Sequence, residues 1–280
     1  MTLSRRDVHN LLASADIRPS RARGQHFVAD PNTVRRIARL AGVGPGDRVV
    51  EIGAGLGSLT LALAETGASV TAIEIDRRIL PVLRSVVEPV GVKVVEGDAL
   101  SLDWTGLLGD PAGAGDAGWV LVANLPYNVA TPLVADLLDG VPAIRRMLVM
   151  VQREVALRLA AGAGDDAYGA VSVKVAYWAE AKVVGRVPAT VFVPAPKVES
   201  ALVRIDRRSE PAVPATVDRA RLFALVRAGF AQRRKMLRRS LAGIVDAGAF
   251  ERAGIRPEAR AEDLDVIQWA RLAECSLPQS

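Results

Sequence analysis

The sequence predicts an α/β fold, a parallel sheet flanked by helices, followed by a small all-α domain. Three observations predict it. From Asp47 onward, short apolar runs alternate with segments of helical spacing, the pattern of a sheet covered on both faces. The first of these runs ends in Gly53-Ala54-Gly55-Leu56-Gly57, a strand running into a tight turn. Beyond about residue 210 the strand pattern stops and apolar residues recur only at helical intervals.

The elements follow in order. Residues Met1 to Arg23 read as a short polar helix and a basic loop. Pro31 to Ala41 has Val34, Ile37, Ala38 and Ala41 on one helical face, with Asp30 as N-cap and Pro31 at the first helical position. Arg48–Ile52 is a buried strand and Gly57–Glu65 opens a helix. Ser69–Ile75, Val92–Glu96, Trp119–Ala123 and Arg145–Val151 read as the next four strands. Helices are expected over Arg77–Val87, Thr131–Leu138 and Glu154–Ala161, and a surface loop over Gly106–Gly118. Ser172–Tyr177 and Ser200–Arg204 read as later strands. Ser209 to Thr216 has the composition of a linker, dividing a domain of residues 1–208 from a helical one of 209–280. In the latter, one helical face carries Leu222, Leu225, Val226 and Phe230. A second carries Met236, Leu237, Leu241 and Ile244, and a last helix spans Leu264 to Leu272.

Half of the residues are hydrophobic and 24% are charged, which excludes a wholly disordered chain. The net charge of +5 conceals a pattern: +5 over residues 1–39, −5 over 40–200 and +5 over 201–280. Basic ends around an acidic middle point to an anionic partner for the ends. The preference for Arg over Lys, 31 against five, matches a compositional bias of the whole Ala-rich chain and is not taken as functional. Cys275 is the one cysteine, so no intramolecular disulfide can form, and a reducing cytoplasm is expected. The N-terminus lacks a secretory pattern. The longest uncharged stretch, Ala117 to Ala135, contains Asn124, Pro126, Asn128 and Pro132, so it reads as a strand and polar loop rather than a membrane span. With two His and one Cys, no metal site is expected.

The chemistry sits at strand ends. Glycines in the 53–57 turn allow close backbone approach to a ligand, and the helix that follows offers unpaired N–H groups. Glu74, with Ile75 after it, ends the second strand, where a carboxylate can accept from ribose hydroxyls. Asp98 and Ala99 follow the third, where a carboxylate can take an adenine amino group. A dinucleotide site would place a third glycine where Ser58 stands. The pattern favours an S-adenosylmethionine site over a nicotinamide-dependent oxidoreductase, and over a plain turn with two solvated acids.

Asn124-Leu125-Pro126-Tyr127 follows the fourth strand and resembles the N/D-x-P-Y/F motif of adenine and amino-group N-methyltransferases. An exocyclic amine is a poor nucleophile because its lone pair is delocalised into the ring. Acceptors at Asn124 and a nearby backbone carbonyl can hold its two N–H groups and aim the lone pair at a methyl donor. Tyr127 can stack on the purine.

Further segments resemble those of the ribosomal RNA adenine dimethyltransferases. They are Gly24-Gln25-His26-Phe27-Val28-Ala29-Asp30, Val151-Gln152-Arg153-Glu154-Val155-Ala156, Phe192-Val193-Pro194-Ala195-Pro196-Lys197-Val198-Glu199-Ser200 and Phe230-Ala231-Gln232-Arg233-Arg234-Lys235-Met236-Leu237. The resemblance implies a Rossmann-like class I S-adenosylmethionine-dependent methyltransferase with a small C-terminal all-α domain. It also implies N6-dimethylation of two adjacent adenosines in the 3′-terminal hairpin loop of 16S rRNA, in small-subunit ribosome biogenesis. Implied cofactor residues are Gln25, His26, Val28, Glu51, Gly53, Gly55, Glu74, Ile75, Asp98, Ala99 and Asn124. His26 and Val28 stand where the family usually has Asn and Leu. Implied catalytic residues are Asn124, Leu125, Pro126, Tyr127 and Phe192, with Phe192 expected to sandwich the flipped adenine against Tyr127. Arg227, Arg233, Arg234, Lys235 and Arg238 are expected to contact RNA, with Arg227, Arg234 and Arg238 on one side of a helix; the Arg18, Arg21, Arg23 cluster is a weaker candidate. A monomer is expected. Alternatives are a resistance-type enzyme acting on 23S rRNA and a non-catalytic assembly factor that retains the fold.

Overall fold

A computed structural model describes residues 2–20, 24–109 and 118–276. The chain forms two compact units, Met1–Ala156 with Lys182–Arg207, and Leu157–Ala181 with Arg208–Ser280. One boundary between the units falls between Arg207 and Arg208. The segment 157–181, assigned by sequence to the first domain, belongs to the helical unit instead.

The first unit opens with α1 (Arg5–Ser14), β1 (Phe27–Val28) and α2 (Pro31–Ala41). The alternating region follows as β2 (Arg48–Ile52), α3 (Ser58–Ala64), β3 (Ser69–Glu74), α4 (Leu80–Val87), β4 (Lys93–Glu96), α5 (Trp104–Leu108), β5 (Trp119–Asn124), α6 (Ala130–Gly140) and β6 (Ile144–Gln152). Helix α7 (Arg153–Ala160) leads into α8 (Ala170–Trp178). The chain then returns through β7 (Ala179–Val187), β8 (Phe192–Val193) and β9 (Ser200–Arg207). The remainder is helical: α9 (Arg219–Ala231), α10 (Leu237–Ser240), α11 (Ala247–Arg252) and α12 (Val266–Cys275).

Seven strands form one sheet in the order β4-β3-β2-β5-β6-β9-β7. The first five are mutually parallel and β9 runs antiparallel to β6. Strand order reverses beside β2, and a crevice at the carboxyl ends of the strands opens at such a switch point. Val49 and Val50, on opposite faces of β2, are both fully buried, as in a sheet covered on each side. One core layer joins Val34 and Ile37 of α2 and Leu59 and Leu63 of α3 to the sheet. Asp30 caps α2 as its sequence predicts, accepting from the Thr33 N–H at 2.8 Å. A smaller cluster of Val8, Leu12, Ile17, Phe27, Leu56, Ile79 and Val193 anchors α1.

Several elements differ from the sequence reading. Ser172–Tyr177 lies within helix α8, not a strand. The alternation Val171-Ser172-Val173-Lys174-Val175 imitates a strand, but Val173 and Tyr177, four residues apart, are both buried in the helical unit's core. Trp104–Leu108 is a short helix capped by Asp103, so the expected loop begins later; residues 110–117 of it lie outside the described residues. Ser209–Thr216 is no free tether, because Val213 packs at 4% exposure into the helical core. The helix expected around Met236–Ile244 is the four-residue α10.

In the helical unit, Trp269 is fully buried with Phe250 and Leu222. Gly229 is required there: a Cβ would lie 2.6 Å from the Trp269 ring. In the first unit, Gly57 begins α3 with φ 90°, and a Cβ would meet Val87 Cγ1 at 2.6 Å. Gly57→Ala therefore combines backbone strain with overpacking and is expected to lower stability by about 2–4 kcal/mol, read by urea denaturation.

Candidate active site

The parallel register brings four strand ends to one edge. Ile52 aligns with Ile73 on one side and with Ala123 on the other, and Glu74 aligns with Glu96. Gly53, Glu74, Asp98 and Asn124, at or just beyond these ends, therefore meet around a cavity of about 450 Å³. All eleven residues named from sequence for a cofactor line it: Gln25, His26, Val28, Glu51, Gly53, Gly55, Glu74, Ile75, Asp98, Ala99 and Asn124. Sequence reasoning missed Gly24, Ser58, Leu100 and Asn128, which share the wall. Ser58 was noted only as an absent glycine, yet its buried Oγ has no hydrogen-bond partner in the structure.

Two carboxylates dominate the floor. Glu74 accepts from the Gly55 N–H through Oε2 at 2.8 Å, and from the Ile75 and Asp76 N–H groups through Oε1 at 3.0 and 2.9 Å. Burial raises its pKa despite these three donors. The Gly55 contact needs the left-handed turn, and Gly55 itself has φ 57° with the Phe27 ring 3.0 Å from where a Cβ would stand. Glu51 is 2% exposed, and its Oε2 has no hydrogen-bond partner. Burial pushes its pKa up to about 8; Thr60 opposes the rise and the Glu74 charge adds to it.

The rim is built by motifs distant in sequence. β1 and β8 pair antiparallel, Phe27 opposite Val193 and Val28 opposite Phe192. His26 immediately precedes β1. Its Nδ1 donates to the Pro194 carbonyl at 2.7 Å, and its ring stacks on Tyr127 with centroids 5.6 Å apart. The His26 carbonyl accepts from Asn124 Nδ2 at 3.0 Å, which orients that amide and leaves Oδ1 as its acceptor. Tyr127 is held in turn by Ser200, hydroxyl to hydroxyl at 2.9 Å. Gln25 donates to Asp76 Oδ2 at 2.9 Å, and Arg78 pairs with the same carboxylate.

The expected catalytic residues divide. Asn124 and Pro126 line the cavity, while Leu125 is a buried residue whose N–H donates to the Met150 carbonyl. Tyr127 stands at the rim through His26. Phe192 does not face Tyr127 across an open slot: it is 1% exposed, belongs to the core, and meets the His26 ring edge-on at 6.4 Å. The ring beside Tyr127 is that of His26.

The basic residues of the helical unit also divide. Arg233 donates to Glu262 at 2.5 Å and to the Asp166 carbonyl, so it ties that unit together. Arg238 pairs with Glu258 at 3.4 Å. Arg227, Arg234 and Lys235 are exposed. Arg227, Arg234 and Arg238 do not share one helix, because α9 ends at Ala231 and α10 starts at Leu237. Arg21 and Arg23 lie outside the described residues, while Arg18 is exposed.

A family model described as ribosomal RNA adenine dimethylase matches residues 19–276. The chain belongs to the ribosomal RNA adenine dimethylase family. The Ribosomal RNA small subunit methyltransferase A of Streptomyces coelicolor is 48% identical over 273 residues, covering 96% of this chain and 94% of that protein. The protein of the same name from Magnetococcus marinus is 46% identical, covering 96% of each. Among solved structures, the 23S rRNA methyltransferase ErmE aligns with a TM-score of 0.68 at 28% identity, over 89% of this chain and 99% of that one. A dimethyladenosine transferase from Plasmodium falciparum shares the fold, with a TM-score of 0.73 at 24% identity over 88% of this chain and 96% of that one. This family member has the Rossmann-like class I fold and methylates rRNA adenine with S-adenosylmethionine as donor.

The cavity suits that donor. It is cationic at its ammonium and sulfonium groups, and the orphan Glu51 Oε2 belongs to a buried carboxyl that such a cation would favour in its ionised form. Glu74 and Asp98 supply acceptors at the two neighbouring strand ends. Among the described residues, no group of three or more His, Cys, Asp or Glu converges as a metal site.

The pKa of Glu51 lies above its unfolded value, so its stabilising contribution is complete at low pH and is lost as pH rises through about 8. Glu51→Gln is expected to remove a fall in stability of up to about 1.4 kcal/mol per pH unit between about pH 4.5 and pH 8, read by urea denaturation at pH 5.5 and pH 7.5. Donor binding at pH 7 should release about one proton from the native protein and none from the variant, measured by calorimetry in buffers of different ionisation enthalpy.

Proposed function

We propose that the chain dimethylates N6 of two adjacent adenosines in the 3′-terminal hairpin loop of 16S rRNA. The substrate is the small ribosomal subunit or its precursor, in the cytoplasm. The observation that carries this reading is the Asn124 amide on the cavity wall, anchored through Nδ2 to the His26 carbonyl with Oδ1 left to accept. The curated relatives named as small-subunit methyltransferases support the choice of RNA.

In this reading Glu51 holds the donor's ammonium group, Glu74 its ribose and Asp98 its adenine amino group. When bound, S-adenosylmethionine supplies an electrophilic methyl group and a neutral thioether leaving group. Asn124 Oδ1 and a nearby backbone carbonyl accept from the adenine amine. That geometry favours a pyramidal nitrogen whose lone pair points into the cavity. Tyr127, fixed by Ser200 and backed by the His26 ring, offers the stacking surface for the flipped base. Phe192 acts from below by packing β8 against β1. Arg227, Arg234 and Lys235 contact phosphate, together with Arg238, while Arg233 supports the fold that presents them. Donor cavity and amine-holding motif lie on one chain, so a monomer suffices. Among the described residues, no helix is long and apolar enough to cross a membrane.

The test is methylation of under-methylated small subunits with labelled donor, followed by mapping. N6,N6-dimethyladenosine at two adjacent positions near the RNA 3′ end is expected. Label confined to large-subunit RNA would select the 23S reading instead, and failure to label either RNA would favour an assembly factor without catalysis.

A further inference from the structure

A second cavity, of about 520 Å³, lies between the end of α1 and Pro194. Its floor is apolar: Leu12, Ile17 and Val193, each no more than 7% exposed, belong to the small cluster that anchors α1. Its rim is polar, with the exposed side chains of His9, Asp16 and Arg18. Asp16 takes a left-handed conformation, φ 48°, which ends α1 and turns Ile17 back into the core. Arg5 ties the far wall in place by donating to the Thr190 and Phe192 carbonyls. The cavity is therefore formed in the free chain, and a ligand need not order it.

Its position gives it meaning. Pro194 forms part of its wall, and the Pro194 carbonyl is the acceptor for His26 Nδ1. His26 in turn lines the donor cavity and holds Asn124. One hydrogen-bonded residue pair thus separates the two cavities. If the substrate carries two adjacent adenosines, flipping one into the site unstacks its neighbour, which then lies within reach of this wall. The chemistry matches a nucleotide in each part. An apolar floor accepts the face of a base, Asp16 can accept from an exocyclic amine or a ribose hydroxyl, and Arg18 can contact a phosphate.

We propose that this cavity binds the nucleotide on one fixed side of the one being methylated, so that the partner adenosine fills it while one of the two is methylated and not while the other is. The inference rests on the reading that two adjacent adenosines are the substrate.

Two variants test it, both at exposed positions: Ala13→Trp, which fills the cavity, and Arg18→Glu, which reverses its charge. Donor affinity is measured by calorimetry on the full chain. Methyl groups at each adenosine are counted over time on under-methylated small subunits by mass spectrometry of ribonuclease fragments. The expected result is donor affinity within about threefold of the native protein, with methylation of one adenosine lagging the other by about tenfold or more. Loss of one stacked base costs a factor of that order. Equal slowing at both adenosines would make the surface a general RNA contact and overturn the proposal, as would no change. Excess adenosine monophosphate should leave the native protein's ratio unaltered; a shifted ratio would make this a mononucleotide site instead. A native protein that places no dimethyladenosine in small-subunit RNA overturns the substrate reading, and this inference with it.

Discussion

The parallel register of β2 with its two neighbours is the constraint on which the site depends. Ile52 is level with Ile73 and Ala123, so the chain leaves the sheet at one edge after each of these strands. Residues at these exits need no further device to converge. A one-residue slip would turn every buried side chain of a strand to the opposite face, and the fully buried Val49, Val50, Leu121 and Val122 forbid it. Hydrophobic burial thus positions Glu51, Glu74 and Asn124 although none of them contributes to it.

A second constraint completes what the sheet begins. The sheet supplies a floor for the donor but no substrate face. That face is assembled around His26, which engages Pro194, 168 residues away, through its ring nitrogen and Asn124 through its carbonyl. Both contacts fix directions rather than add much stability, since an internal hydrogen bond contributes only about 1 kcal/mol net. Their value lies in geometry: the amide proposed to accept from substrate is held against flipping by one of its two N–H groups. The contact to Asn124 is made by the His26 backbone, so it does not depend on the side chain at this position. The His26 side chain adds a ring that stacks on Tyr127.

Much of this was legible in the sequence, and the failures have physical causes. The runs around Val49, Val70 and Val120 declared themselves as strands because strands buried on both faces need continuous apolar residues. The strand-end residues Gly53, Glu74, Asp98 and Asn124 were legible because they end or follow such runs, while Gln25, His26 and Val28 came only from the resemblance. Strand β7 was missed, since an edge strand carrying Glu180, Lys182, Gly185 and Arg186 has no apolar run to show. Phe192 was read as a base-stacking ring because its neighbours are prolines, but its pairing with Val28 turns it into the core. Arg233 looked like its basic neighbours, and only tertiary structure brings Glu262 beside it. The clasp at His26 could not be read from sequence at all, because it exists only when β1 and β8 pair.

Asn124 Oδ1 is proposed to hold the substrate amine in the reacting geometry. The most direct measurement is the single-turnover rate of methyl transfer by Asn124→Ala, with donor and small subunits both saturating so that weakened binding is removed from the result. Loss of one preorganised polar contact in the transition state predicts a rate lower by about a hundredfold to a thousandfold. Transfer at the native rate under saturation would contradict the claim and reduce Asn124 to a structural residue of the turn.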